Sequence, residues 1–231
     1  MTSPSEQFIL DIGPLARPTL ENFVVGRNRQ VLGTLQSFRT LPPAERYIHL
    51  YGAPGSGRSH LLRALAEAEG GRYIAPGDDA KNWQFAEGFA LFAIDDVHRT
   101  SEAEQGLLFM LINEARAIAG LGVVTAGDQP PLALRVREDV RTRLGWGLVF
   151  QLEALDDADL DAALCAHASQ LGLSLGADVR RYLLTHCERN LGFLTQLVTQ
   201  LDRHALSSHR QVTLPLLRNF LDDKAQGSHG P

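Results

Sequence analysis

The chain has 231 residues, 44% of them hydrophobic, enough to bury the core of one or two globular domains. Its 22 basic and 27 acidic residues leave a formal net charge of −5, which supplies no overall field for wrapping nucleic acid or lying on anionic lipid, so little direct DNA binding is expected. No apolar run reaches spanning length and no basic region precedes an apolar stretch at the N-terminus, so no membrane is expected and the cytoplasm is the expected compartment.

In chain order, residues 1–16 read as a short tail broken by Pro4, Gly13 and Pro14. A helix is expected from Asn28 to Phe38. Strand patterns recur at Tyr47 to Tyr51, Arg72 to Ala75, Ala90 to Ile94, Gly122 to Thr125 and Leu148 to Leu152, with helical stretches between most of them. That alternation predicts an α/β fold, a central parallel sheet covered by helices on both faces. The helix expected from Glu102 to Ala119 has Ser101 as N-cap and an apolar stripe at Leu107, Leu108, Leu111, Ile112, Ala115 and Ile118. After Leu152 four amphipathic helices follow, Asp156 to Gln170, Ala177 to Glu188, Leu191 to Ser207 and Leu214 to Lys224, as in a small helical bundle. The expected divisions are a tail at 1–16, an α/β domain at 17–152, a helical lid at 153–224 and an unstructured tail at 225–231. Cys165 and Cys187 fall in helical segments without metal-ligand spacing and are expected as reduced, structural thiols.

The chemistry concentrates between Tyr47 and Leu65. Gly52, Gly55, Gly57, Arg58 and Ser59 fit the phosphate-loop spacing G-x-x-x-x-G-K-[ST] except that arginine stands where the lysine would. Such a loop presents backbone N–H groups and a helix start to di- or triphosphate oxygens, and Ser59 offers its hydroxyl to Mg2+. Any glycine-rich turn before a helix looks similar, so the octamer alone leaves both readings open. A second element argues for the first. The apolar strand Ala90 to Ile94 ends in Asp95 and Asp96, where Asp95 would hold the Mg2+ shell and Asp96 would orient water, although paired aspartates also open turns. His49 alternates with core residues on the first strand and reads as a satisfied interior histidine.

Several stretches together resemble the DnaA-related AAA+ family of bacterial replication proteins: TLENFVVGRN at 19–28, GAPGSGRSHLLRA at 52–64, FAIDDVH at 92–98, VTAGDQPP at 124–131 and RTRLGWGLVFQLEAL at 141–155. The resemblance spans nearly all of 17–224, and the order of the motifs is more specific than any one of them. It implies an AAA+ P-loop module followed by a helical lid. By the same resemblance ADP or ATP with Mg2+ would be held by Gly52, Ala53, Pro54, Gly55, Ser56, Gly57, Arg58, Ser59 and His60, with Phe23, Val24 and Val25 lining the adenine pocket. Asp128 matches the sensor position on the sheet. The lid sensor arginine is missing, Gly192 standing in its place, and Arg189 is the candidate to reach instead. Arg143, before Leu-Gly-Trp-Gly, matches the arginine finger that acts on a neighbour's nucleotide; an ordinary arginine paired with Asp139 is the alternative from spacing alone.

The expected absence of a helix-turn-helix domain and of a long N-terminal region, with the GRS loop, resembles the shorter Hda-type regulators of this family rather than the initiator. Gln7, Phe8, Leu10 and Ile12 are similar to peptides that replication proteins insert into the DNA polymerase III sliding clamp (its beta subunit). The resemblance thus implies a negative regulator of replication initiation that binds nucleotide and the DNA-loaded clamp and stimulates hydrolysis of DnaA-bound ATP, with weak or no turnover of its own and a possible homo-oligomer. The rival expectations are a DnaA-like ATPase acting as helicase loader, disfavoured by the lack of a basic and aromatic groove, and a small-molecule kinase, for which no acceptor pocket is evident.

Overall fold

A computed structural model of the chain describes residues 17–85, 87–208 and 210–227, with side chains to residue 223. These divide into an α/β unit that ends at Ala154 and a helical unit that begins at Leu155.

The α/β unit is built on a parallel 5-stranded sheet, β1 (Tyr47–Gly52), β2 (Arg72–Ile74), β3 (Leu91–Ile94), β4 (Gly122–Gly127) and β5 (Leu148–Leu152), in the order β2-β3-β4-β1-β5. The strands match the sequence expectation to within one or two residues. The adjacent interior strands β3 and β4 explain the pattern: every residue of both is buried, as a strand covered on both faces requires, whereas β5 alternates at the edge. Leu91 and Ala93 point to one face with Leu50, Leu61, Leu62 and Leu65; Phe92 and Ile94 point to the other with Trp83, Leu108, Leu111 and Ile112. Helices α1 (Arg29–Gln36) and α2 (Arg58–Ala68) cover the first face, and α3 (Glu102–Ala117) and α4 (Glu138–Leu144) the second.

Ser101 caps α3 in a capping box: Glu104 N–H donates to Ser101 Oγ at 3.3 Å and Ser101 N–H to Glu104 Oε2 at 2.6 Å. The helix stops at Ala117, two residues short of the expected end, because the chain must reverse through Gly120 (φ 87) into β4. Ile118 therefore leaves the apolar stripe and is 38% exposed. A buried polar pair sits between β1 and β4, where His49 and Thr125 are register partners. His49 Nδ1 lies 2.8 Å from Thr125 Oγ1, and Nε2–H donates to Gln129 O at 3.1 Å. Burial lowers the His49 pKa to about 4. Asn28 closes the unit: its amide donates to Glu153 O at 2.9 Å and accepts from Glu153 N–H at 2.8 Å.

The helical unit contains α5 (Asp157–Gln170), α6 (Ala177–His186), α7 (Leu191–Ser207) and α8 (Leu214–Gly227). Helix α8 runs into the stretch expected to be an unstructured tail. Asp156 caps α5 through Asp159 N–H at 2.9 Å, and Asn190 caps α7 through Phe193 N–H at 3.2 Å. Leu194, Leu197, Val198, Leu201 and Ala205 form the buried face of α7, packed with Leu160, Leu164, Leu183 and Leu217. Both cysteines are free, and burial pushes the Cys187 thiol up to about 11, so it is inert. No helix among the described residues is long and apolar enough to cross a membrane.

Candidate nucleotide-binding site

Because β1 reverses the strand order, turning from the β4 side to β5, the carboxyl edge beside it is where an open α/β sheet gathers a ligand site. The chain leaves that edge at Gly52. A Cβ there would stand 2.3 Å from Leu152 O and 2.9 Å from Ser56 Oγ, so the loop closes only on glycine. Gly57 caps α2 with φ 92, and a Cβ on it would lie 2.6 Å from the Phe23 ring. Phe23 is thus wedged against the loop; its ring also meets that of His60, centroids 5.6 Å apart, and His60 Nε2–H donates to Thr19 O at 2.9 Å. Burial lowers the His60 pKa, against the hydrogen bond to Thr19 O. Val24 and Val25 follow, half-buried, while Ala53, Pro54 and Ser59 are exposed.

Two buried polar atoms at the loop lack a partner, Ser56 Oγ and Arg58 Nη1. A buried donor left unmade is costly, and an anion's oxygens are the kind of acceptor both lack. The residues present therefore fit a phosphate group.

The carboxylates after β3 are differently placed. Asp95 is buried; its Oδ2 accepts from Tyr73 O–H at 2.7 Å and its Oδ1 from Asp96 N–H at 2.9 Å, leaving one lone pair on each oxygen. Asp96 has φ 42, the one non-glycine residue with positive φ among the described residues, which marks stored backbone strain. Arg58 Nη2 approaches its Oδ1 to 3.5 Å and Arg99 Nη1 its Oδ2 to 3.5 Å. His98 Nδ1 stands 4.0 Å from Asp96 Oδ1 and 3.9 Å from Asp128 Oδ1, buried and without a hydrogen bond. Asp128 itself is exposed. No group of three or more metal-ligating side chains occurs among the described residues. A magnesium ion at a nucleotide site needs only one or two side chains beside the nucleotide's own oxygens, and Ser59 and Asp95 are the side chains that would be offered.

Arg143 lies near the end of α4. It does not pair with Asp139, the partner that spacing alone offered, because Arg137 takes that carboxylate through Nη2 at 2.7 Å and Nε at 3.2 Å. Its guanidinium carbon instead sits 3.8 Å from the centroid of the Trp146 ring and 5.1 Å from that of Phe109. In the helical unit Arg189 is exposed and pairs with Asp157, and Gly192 falls in the first turn of α7. Gln7, Phe8, Leu10 and Ile12 lie outside the described residues.

Residues 156–221, which comprise most of the helical unit, match the family model of the Hda lid domain. The helical unit is thus an Hda-type lid domain. Solved structures share the fold of the chain as a whole. Domain III of the replication initiation protein DnaA from Thermotoga maritima aligns with TM-score 0.72 at 22% identity, covering 91% of this chain and 98% of that one. AMPPCP-bound DnaA from Aquifex aeolicus aligns with TM-score 0.64 at 24% identity, over 83% of this chain and 66% of that one. A RuvB mutant from Thermotoga maritima gives 0.66 at 15% identity, over 89% and 71%. The Hda-type lid is thus joined to a sheet unit whose fold DnaA and RuvB share.

Sequence reasoning missed Tyr73, His98, Phe109 and Trp146 as parts of these constellations. Tyr73 sits in the middle of β2 opposite Ala93 of β3, two residues before Asp95, a neighbourhood that only the strand order supplies.

Proposed function

We propose that this chain is a negative regulator of replication initiation: it holds an adenine nucleotide at the Gly52–His60 loop, docks on the DNA-loaded sliding clamp through Gln7, Phe8, Leu10 and Ile12, and stimulates hydrolysis of ATP bound to DnaA. The observation that carries this reading is the Hda-type lid at 156–221 on a sheet unit of DnaA fold. AMPPCP in DnaA relatives supports adenine nucleotide as the ligand.

Each residue has a physical task in this reading. Backbone N–H groups of Gly55 to Arg58, Ser56 Oγ and Arg58 Nη1 bind phosphate oxygens, ending the isolation of two buried polar atoms. Phe23 wedges the loop in shape, with Val24 and Val25 beside it toward the base. Ser59 and Asp95 would hold Mg2+, which when bound offsets phosphate charge. Asp96 is engaged by Arg58 and Arg99 and is poorly free to orient a water, so the chain's own turnover is weak. Asp128 stands just past the end of β4 as the sheet sensor, and Arg189, in the connection before α7, is the replacement for the absent sensor arginine. Arg143, paired with no carboxylate among the described residues, is directed at the nucleotide of a neighbouring DnaA and stabilises charge on its transferring phosphoryl group.

The test follows labelled ATP bound to purified DnaA, with and without this protein and with clamp loaded on DNA. Clamp-dependent acceleration of hydrolysis is expected. No acceleration by a chain that carries its nucleotide would overturn the regulator reading in favour of a helicase-loading ATPase.

A further inference from the structure

Two guanidiniums share one indole in the α/β unit. The Arg143 guanidinium carbon is 3.8 Å from the Trp146 ring centroid and that of Arg116, from α3, is 4.1 Å from it. The two cations are therefore no farther apart than the sum of those distances, and neither forms an ion pair among the described residues. Like charges this close repel, modestly where water screens them and more as water is removed, so the arrangement favours an incoming anion. Phe109, also from α3, adds a second ring 5.1 Å from the Arg143 guanidinium.

Contact by aromatic faces has a geometric consequence. A guanidinium carries its five N–H donors in its own plane, so an aromatic that grips the face leaves the donor edge unspent, whereas a carboxylate partner would consume it. Nε of Arg143 is buried and unpartnered, and no hydrogen bond or ion pair among the described residues takes its terminal nitrogens. We propose that Trp146, assisted by Phe109, is the positioning residue for Arg143: it holds the guanidinium by its face and keeps the terminal N–H groups presented to the phosphates of a nucleotide on a neighbouring protein, with Arg116 adding positive field. This rests on the finger reading of Arg143 given above.

The experiment measures stimulated hydrolysis of DnaA-bound ATP, on clamp-loaded DNA, against concentration of wild type, Trp146→Leu, Trp146→Phe, Phe109→Leu and Arg143→Ala. Trp146→Leu is expected to lower the maximal rate about 2- to 30-fold without moving the half-saturating concentration, the range that loss of one cation–π contact allows. Trp146→Phe should restore most of it, which loss of packing alone would not predict. Thermal midpoints of wild type, Trp146→Leu, Arg143→Ala and the double variant should be non-additive, a readout independent of DnaA. Full maximal rate in Trp146→Leu and Phe109→Leu, with Arg143→Ala inactive, overturns this inference and leaves the finger intact, as do additive midpoints. Full rate in Arg143→Ala overturns the finger reading itself, and the positioning role with it. If Trp146→Leu fails to fold, Phe109→Leu and Trp146→Phe carry the comparison, with a drop in maximal rate for the first and little for the second.

Discussion

The α/β unit and the helical lid are stabilised alike but spend their polar groups differently. Each has an apolar core of Leu, Val and Ala on amphipathic or strand faces. Yet among the described residues every buried side-chain atom without a partner, Ser56 Oγ, Arg58 Nη1, Trp83 Nε1, His98 Nδ1 and Arg143 Nε, belongs to the α/β unit, as does the one strained non-glycine backbone at Asp96. The lid instead satisfies its polar groups by caps and pairs, such as Asp156, Asn190 and Arg180 with Asp161. Four of the five orphans are at the loop, at the acidic edge or on Arg143, so unmet hydrogen-bonding capacity separates the unit that acts from the unit that packs.

Substitutions can break or sharpen that contrast. The largest effect is expected from Arg143→Ala, which should cost about 10³-fold or more in stimulated hydrolysis of DnaA-bound ATP, read in single turnover, with nucleotide affinity of this chain unchanged. Leu201→Ala empties the centre of the lid core and should destabilise it by about 2–5 kcal/mol in chemical denaturation. A pH effect of about 3 kcal/mol is expected from His49, since a unit of pKa difference is worth about 1.4 kcal/mol. Above its unfolded pKa of 6.5 both states are neutral. As pH falls from 6.5 toward about 4 the unfolded chain takes a proton that the folded one refuses, so stability drops through that window and levels below it. His49→Leu, less stable throughout, should show a shallower fall between pH 7.5 and 4.5 in the same denaturation assay. Arg58→Ala should weaken ADP binding by about 10- to 100-fold in calorimetry, the value of a charged hydrogen bond to phosphate. Smallest is Arg180→Ala, a partly exposed lid pair worth about 1 kcal/mol or less in thermal melting. Loss of ADP binding in Arg180→Ala as large as in Arg58→Ala would break the division between the units.

Local pattern was legible and neighbourhood was not. The β3 run from Leu91 to Ile94 and the α7 stripe from Leu191 to Ala205 announce themselves because burial on two faces or on one sets the spacing of apolar residues. The loop at Gly52 to Ser59 was legible for a similar reason, as close backbone approach requires glycine at fixed intervals. Periodicity is silent on which strands adjoin. The order β2-β3-β4-β1-β5 sets Tyr73 on Asp95 and His49 on Thr125, and neither pairing is written in either local stretch. Arg143 was readable as a finger by resemblance, and Trp146 follows it closely in the chain, but its contact with Phe109 joins α4 to α3 across more than thirty residues.

The register of Gly52 against Leu152 has a consequence for how the molecule comes into being. The strand that carries the loop pairs with β4 and β5, both of which are made long after it, so its two edges stay bare while most of the sheet is synthesised. Contacts of such sequence separation form slowly, and an unpaired central strand is a site for misassociation on the ribosome. Only when Leu148 to Glu153 emerge do β5 and the Asn28 clasp complete the sheet and give the loop its shape. A nascent chain released before that point would carry every residue of the phosphate loop and no site.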